Sequence, residues 1–194
     1  MASVSGIAQW EVAVEQVEQR MRRVAAILDR HQIPYQVIGG LAVAEWVGQV
    51  DEDAARATRD VDISIRRADL PRVCAVLEEV GYRYKETLGV KMLLEPGEQK
   101  ARHAIHLIFS DEKVRPEYLH PAPSIPVNPP RARAEFAVID VSSLVRMKLT
   151  SFRLKDKVHL QDMLGVGLIT PEVERTLPTD LMARLQELKD NPED

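Results

Sequence analysis

Cysteine is all but absent, with Cys74 alone among 194 residues. A disulfide frame is therefore excluded, and a reducing cytoplasm is the expected compartment. Cys74 falls within an apolar-rich helical pattern, where a small buried hydrophobe is its simplest role. Long apolar runs are also lacking. No stretch approaches the ~18 residues of a membrane span, and the first residues lack the basic-then-apolar order of a signal peptide. An excess of positive charge is missing as well. A formal net charge of −4 argues against strong general affinity for nucleic acid or an anionic membrane, while leaving room for a local basic cleft. Neither an internal repeat nor a low-complexity segment is visible. What remains is sufficient for a proper core: 45% hydrophobic residues support one domain, or one domain with a helical appendage.

The residues from Gln9 to His31 place Val12, Val14, Val17, Met21, Val24, Ala25 and Leu28 at helical spacing between charges, which predicts one long amphipathic helix ending before Pro34. Tyr35 to Ile38 is a short buried strand, broken by Gly39-Gly40, which releases a helix over Leu41 to Val47. Gln49 to Ala57 is a polar loop. Asp69 is the expected N-cap of a helix with Pro71 in its first turn, an apolar stripe of Leu70, Val73, Val76, Leu77 and Val80, and Gly81 at its close. Lys91 to Leu94 and His103 to Phe109 are further strands, separated by the turn signal Glu95-Pro96-Gly97. A mixed sheet with helices packed on it is the economical assembly.

From Pro116 to Pro130 the chain holds six of its twelve prolines, the composition of an extended connector. The expected organisation is a core over 1–115, a proline-rich connector over 116–135, and a strand plus helical part over 136–194 that completes a cleft. In that last part Phe136 to Ile139 is a short strand, Asp140 or Ser142 caps a helix through Leu149, Lys155 to Leu164 is helical, and Pro178-Thr179-Asp180 opens a final helix to about Leu188.

Two stretches carry chemistry. In Thr58-Arg59-Asp60-Val61-Asp62-Ile63-Ser64-Ile65 the apolar Val61, Ile63 and Ile65 alternate with polar residues, the period of a half-buried strand. Asp60 and Asp62 then leave one face about 7 Å apart. Such carboxylates repel unless a cation lies between them, and an oxygen-only pair suits Mg²⁺; two aspartates on a solvated edge strand would give the same letters. Upstream, strand, double glycine and helix start follow in order. Unpaired N–H groups and the positive end of a helix dipole make Gly39-Gly40 a candidate phosphate turn. A tight turn needing glycine only for its φ is the alternative.

Ile38-Gly39-Gly40 opening a helix, followed by Arg56-x-Thr58-x-Asp60-Val61-Asp62 on the next strand, resembles the nucleotidyltransferase fold of the DNA polymerase beta superfamily. Later, Lys148, Arg153, Lys155-Asp156 and Asp162 resemble a helix motif of small bacterial nucleotidyltransferases, including abortive-infection-type toxins. The likeness spans roughly residues 33 to 165. It implies an α+β fold, a nucleotidyltransferase-like mixed β-sheet flanked by helices with a helical C-terminal part. It also implies that Asp60 and Asp62 hold one or two Mg²⁺ ions bridging the triphosphate of an NTP, that Gly39 and Gly40 receive phosphates, and that a hydroxyl of an unknown acceptor (RNA, protein or small molecule) attacks the α-phosphorus. Active members of the family usually carry a third carboxylate where His106 stands here. His106 is then a candidate base; a module that binds nucleotide or a partner without turnover is the alternative, and one half of a toxin-antitoxin pair is a third reading that rests on analogy alone.

In an unbroken helix at 100° per residue, Lys148, Lys155, His159 and Asp162 share one stripe. It is either a solvated face or a wall supplying Lys148, Lys155 and His159 to phosphates, with His159 and Asp162 as a hydrogen-bonded pair. Arg153 falls nearly opposite, so it reaches the cleft only if the helix breaks near Leu154.

Overall fold

A computed structural model describes residues 3–97, 104–131 and 136–191. Helix α1 (Ser3–Arg30) starts earlier than expected, and the predicted stripe from Val17 through Met21, Val24, Ala25 and Leu28 is buried. The larger of these, Val17, Met21, Val24 and Leu28, each contribute roughly 1.5–3 kcal/mol on leaving water. Strand β1 (Tyr35–Ile38) runs directly into α2 (Gly39–Val50), and β2 (Val61–Ile65) follows the polar loop. Asp60 thus precedes the strand that the alternation had extended back to Thr58. One 3₁₀ turn (Arg67–Asp69) leads into α3 (Leu70–Glu78). Asp69 does occupy the N-cap position, but its side chain makes no cap hydrogen bond. Its carboxylate is held instead by Arg66 at 2.7 Å and lies 3.8 Å from Arg72. On α3 only Val73 and Leu77 are buried; Val80 is exposed and Cys74 is half-buried rather than enclosed.

Strands β3 (Arg83–Thr87), β4 (Val90–Leu94) and β5 (Ile105–Phe109) complete the sheet, in the order β1-β2-β5-β4-β3. Among the described strands only β2 and β5 pair in parallel. The expected strand start at His103 lies outside the described residues. Side-chain alternation sorts β5: Ile105, Leu107 and Phe109 enter the main core, whereas His106 and Ile108 turn to the opposite face. Across that face one register row runs Ile38, Asp62, His106, Met92. The sheet therefore sets Asp62 and His106 side by side.

The proline-rich stretch is tied to the body. Asp111 N–H donates to the Ala122 carbonyl and Ala122 N–H to that of Glu112, both at 2.9 Å; His120 Nε2 lies 2.9 Å from Asp180, and Arg131 reaches Asp29 at 2.9 Å. Phe136 to Ile139 forms no ladder. Val138 makes one parallel bridge to Val37, with Val37 N–H on the Ala137 carbonyl at 2.8 Å and Ile139 N–H on that of Val37 at 3.0 Å. Asp140 then caps α4 (Val141–Ser151) by accepting from Ser143 N–H at 2.9 Å. Phe152 takes a left-handed φ of 46°, ending α4 before α5 (Leu154–Gly165) begins. The short α6 (Pro171–Arg175) and α7 (Thr179–Asp190) close the fold.

Candidate active site

A cleft of about 720 Å³ opens over the register row just described. Gly39, Asp60, Asp62 and His106 form its floor. Lys148 on α4 and Arg153, Lys155 and Asp156 at the start of α5 line the same space, as do the β3–β4 turn and the tied stretch from Glu112 to Ala122. The break at Phe152 is what admits Arg153, because it turns the chain between the two helices.

Gly39 is required twice. Its φ is +73°, and a Cβ there would stand 2.2 Å from Asp62 Oδ2, far inside contact distance. Asp62 therefore lies against the start of α2, whose N-cap residue Ile38 supplies no side-chain acceptor for the first turn. The N–H groups of that turn carry the positive end of the helix dipole toward the carboxylate and the cleft. Gly40 turns elsewhere: a Cβ there would meet Thr58 Oγ1 at 2.9 Å and His159 Cε1 at 3.6 Å, so its smallness lets α2 pack on the β2 approach and on α5. Gly39→Ala is expected to lower Tm by several degrees, through strain of about 1–3 kcal/mol plus displacement of Asp62. Gly97→Ala is the control, with a similar φ of +78° but nothing within 4 Å; thermal melts of the two variants separate backbone strain from collision.

His106 Nδ1 is 3.1 Å from Asp62 Oδ1. An ionised carboxylate only accepts, so Nδ1 carries the hydrogen and Nε2 is left as the free nitrogen. This hydrogen bond raises the His106 pKa above its ordinary value; burial works against it, the charges of Asp62 and Asp60 support it, and Lys155 opposes.

A second group of charges lies at the corner between α4 and α5. Asp156 is 1% exposed, yet accepts from Ser151 Oγ at 2.7 Å, Arg153 Nε at 2.8 Å and Lys148 Nζ at 3.2 Å. Burial alone would raise its pKa; the bond from Arg153, the charge on Lys148 and the bond from Ser151 outweigh it and bring it down to about 2. Lys148 is 5% exposed, not part of a solvated stripe. Burial pushes its pKa down against the pull of Asp156. Its Nζ also lies 2.8 Å from His159 Nδ1. Burial, reinforced by the Lys148 charge, lowers the His159 pKa to about 4. The expected His159–Asp162 pair is thus replaced: His159 faces Lys148, and Asp162 binds Arg56 at 2.7 Å, tying α5 to the loop before β2.

The cleft so described gathers Gly39, Asp60, Asp62, His106, Lys148 and Lys155, whereas Gly40 and His159 lie behind its wall. Sequence reasoning passed over Asp156 as a site residue and the far end of the cleft, where Arg67 stacks on Phe109 at 3.9 Å and Lys113 and Arg115 stand on the tied stretch. The charged run Asp111 to Arg115 was the available signal, without anything to say which way it pointed. A family model described as "Uncharacterised nucleotidyltransferase" matches residues 8–138.

The chain belongs to this nucleotidyltransferase family. Solved structures agree on the fold. The antibiotic-resistance factor ANT(2'')-Ia in solution superposes with a TM-score of 0.54 at 14% identity, covering 92% of this chain and 95% of that one. The crystal structure of ANT(2'')-Ia in complex with adenylyl-2''-tobramycin gives 0.53 at 15% identity, over 90% of this chain and 99% of that one. An antigenic nucleotidyltransferase-like protein from Paracoccidioides brasiliensis gives 0.58 at 16%, over 92% and 90% respectively. No curated protein matches the chain. The α+β nucleotidyltransferase fold expected from the glycine turn and aspartate pair is therefore the fold of this family member. Among its described helices none is long and apolar enough to cross a membrane.

Proposed function

We propose that this nucleotidyltransferase moves a nucleoside monophosphate from an NTP to a hydroxyl acceptor with the help of Mg²⁺. The observation that carries the reading is the meeting of Asp60, Asp62 and Gly39 in one cleft, with Asp62 against the first turn of α2. Two carboxylates suit a Mg²⁺ that arrives with phosphates, since this ion commonly takes one or two protein carboxylates and fills its shell with phosphate oxygens and water. Among the described residues no set of three His, Cys, Asp or Glu side chains forms a metal cluster. The donor set therefore fits one ion shared with the substrate better than a fully protein-held pair. When bound, the ion neutralises phosphate charge and polarises the group under attack.

The chain's own groups do the rest. N–H groups at the start of α2 receive phosphate oxygens, and Lys148 and Lys155 add positive charge along the wall. The acceptor oxygen forms its bond to the α-phosphorus as the bond to pyrophosphate breaks. His106, oriented through Nδ1 by Asp62, offers Nε2 to the acceptor's proton. Purified protein with Mg²⁺ and an NTP is expected to melt at a higher temperature and, with a cell extract as acceptor source, to release pyrophosphate. No thermal shift with any of the four common NTPs would remove the reading. A second reading, nucleotide binding without turnover, is favoured by the imidazole of His106 standing in the row where the family usually has a third acid. Its mark is a thermal shift with no pyrophosphate released from any extract.

A further inference from the structure

His159 lies outside the cleft but touches the Lys148 ammonium, which is buried in its wall. A lysine ammonium has three N–H donors. In Lys148 one points to Asp156 Oδ1 at 3.2 Å and a second to His159 Nδ1 at 2.8 Å. The third has no partner among the described residues, and Lys148 lines the cleft. Because Lys148 can only donate, His159 Nδ1 must accept, which fixes the imidazole as neutral with its hydrogen on Nε2.

We infer that His159 is a positioning residue which, together with Asp156, aims the remaining N–H of Lys148 at a β- or γ-phosphate oxygen of the nucleotide. The choice of a neutral acceptor has an electrostatic reason. The charge of Asp156 is already shared between Lys148 and Arg153, the latter at 2.8 Å, so the three groups sum to one positive charge. A second carboxylate in place of His159 would cancel it. An imidazole orients the ammonium and leaves the charge for phosphate.

The inference rests on the reading under Proposed function, and the test separates the two. Isothermal titration compares an NTP with the matching monophosphate, in the presence of Mg²⁺, for wild type, His159→Asn, His159→Phe, His159→Asp and Lys148→Met. Asparagine places an acceptor oxygen near the position of Nδ1, so its NTP affinity should stay within about threefold of wild type. Phenylalanine removes the acceptor and aspartate cancels the charge. Each should weaken NTP binding by roughly tenfold or more, the scale of a hydrogen bond to a charged group, while monophosphate affinity stays within about twofold. In the Lys148→Met background His159→Phe should add nothing. Equal losses for asparagine and phenylalanine, parallel losses for NTP and monophosphate, or an additive double variant would overturn the positioning role. Wild type binding neither nucleotide would remove the parent reading and this one with it.

Discussion

Asp62→Asn is expected to reduce nucleotidyl transfer by about three orders of magnitude or more while leaving the fold in place. The asparagine oxygen can still accept from His106, so the contact at 3.1 Å is not the part that is lost. What disappears is a negative charge at the meeting of sheet and helix, and with it, on the proposed reading, the carboxylate that would hold a divalent ion against phosphate. Such charge stabilisation contributes several kcal/mol to the transition state, and each ~1.4 kcal/mol is a factor of ten. Pyrophosphate release under saturating Mg²⁺ and NTP measures the loss, and a thermal melt alongside should move little. Turnover equal to wild type in a folded Asp62→Asn protein would show that the carboxylate is not part of the chemistry.

The second large effect is on stability. Asp156→Ala should cost roughly 3–5 kcal/mol, because it strands the Lys148 ammonium, 6% exposed in its side chain, without its counter-charge, and removes the acceptor for Ser151 and Arg153 as well. For a chain of this size that corresponds to a fall in Tm of roughly 10 °C, readable by urea titration or calorimetry. The acid dependence has a definite sign. The folded-state carboxyl titrates near 2, below its ordinary value, so the unfolded chain takes up the proton first as pH falls. The contribution is complete above about pH 5 and is lost as the pH drops toward 2. Wild type should therefore lose stability over that window more steeply than Asp156→Ala.

How much of this could be read from the letters depends on whether the cause was local. Strand β1, the Gly39 junction, Val61 to Ile65 and the stripe on α1 were legible because each rests on periodicity or glycine chemistry within a few residues. The family resemblance rested on two of these stretches together with the later motif from Lys148 to Asp162, and the match over residues 8–138 covers the first two and places the chain among nucleotidyltransferases. Strand β3 gave no signal: Arg83 to Thr87 is an edge strand with mostly exposed, charged side chains, so no apolar alternation betrays it. At Phe152 neither glycine nor proline marks the left-handed turn. It is held by Asp156, whose carboxylate grips Ser151 and Arg153 across the corner, and a helical wheel cannot see such a contact. For the same reason the wheel paired His159 with Asp162, three residues along, when each has a partner from elsewhere in the chain. The apolar run from Phe136 to Ile139 did reach the sheet, but prolines before it and the Asp140 cap after it leave room for a single bridge to the sheet, with another joining Ala137 to Arg131, rather than a ladder.

That single bridge has a broader consequence. Val138 alongside Val37, with Phe136 and Ile139 wholly enclosed, means that polypeptide from both sides of the prolines fills one dry interior. Severing the backbone between them would yield two fragments, each with a raw oily face that water would attack. Neither could stand alone, yet together they would retain nearly every contact of the intact molecule.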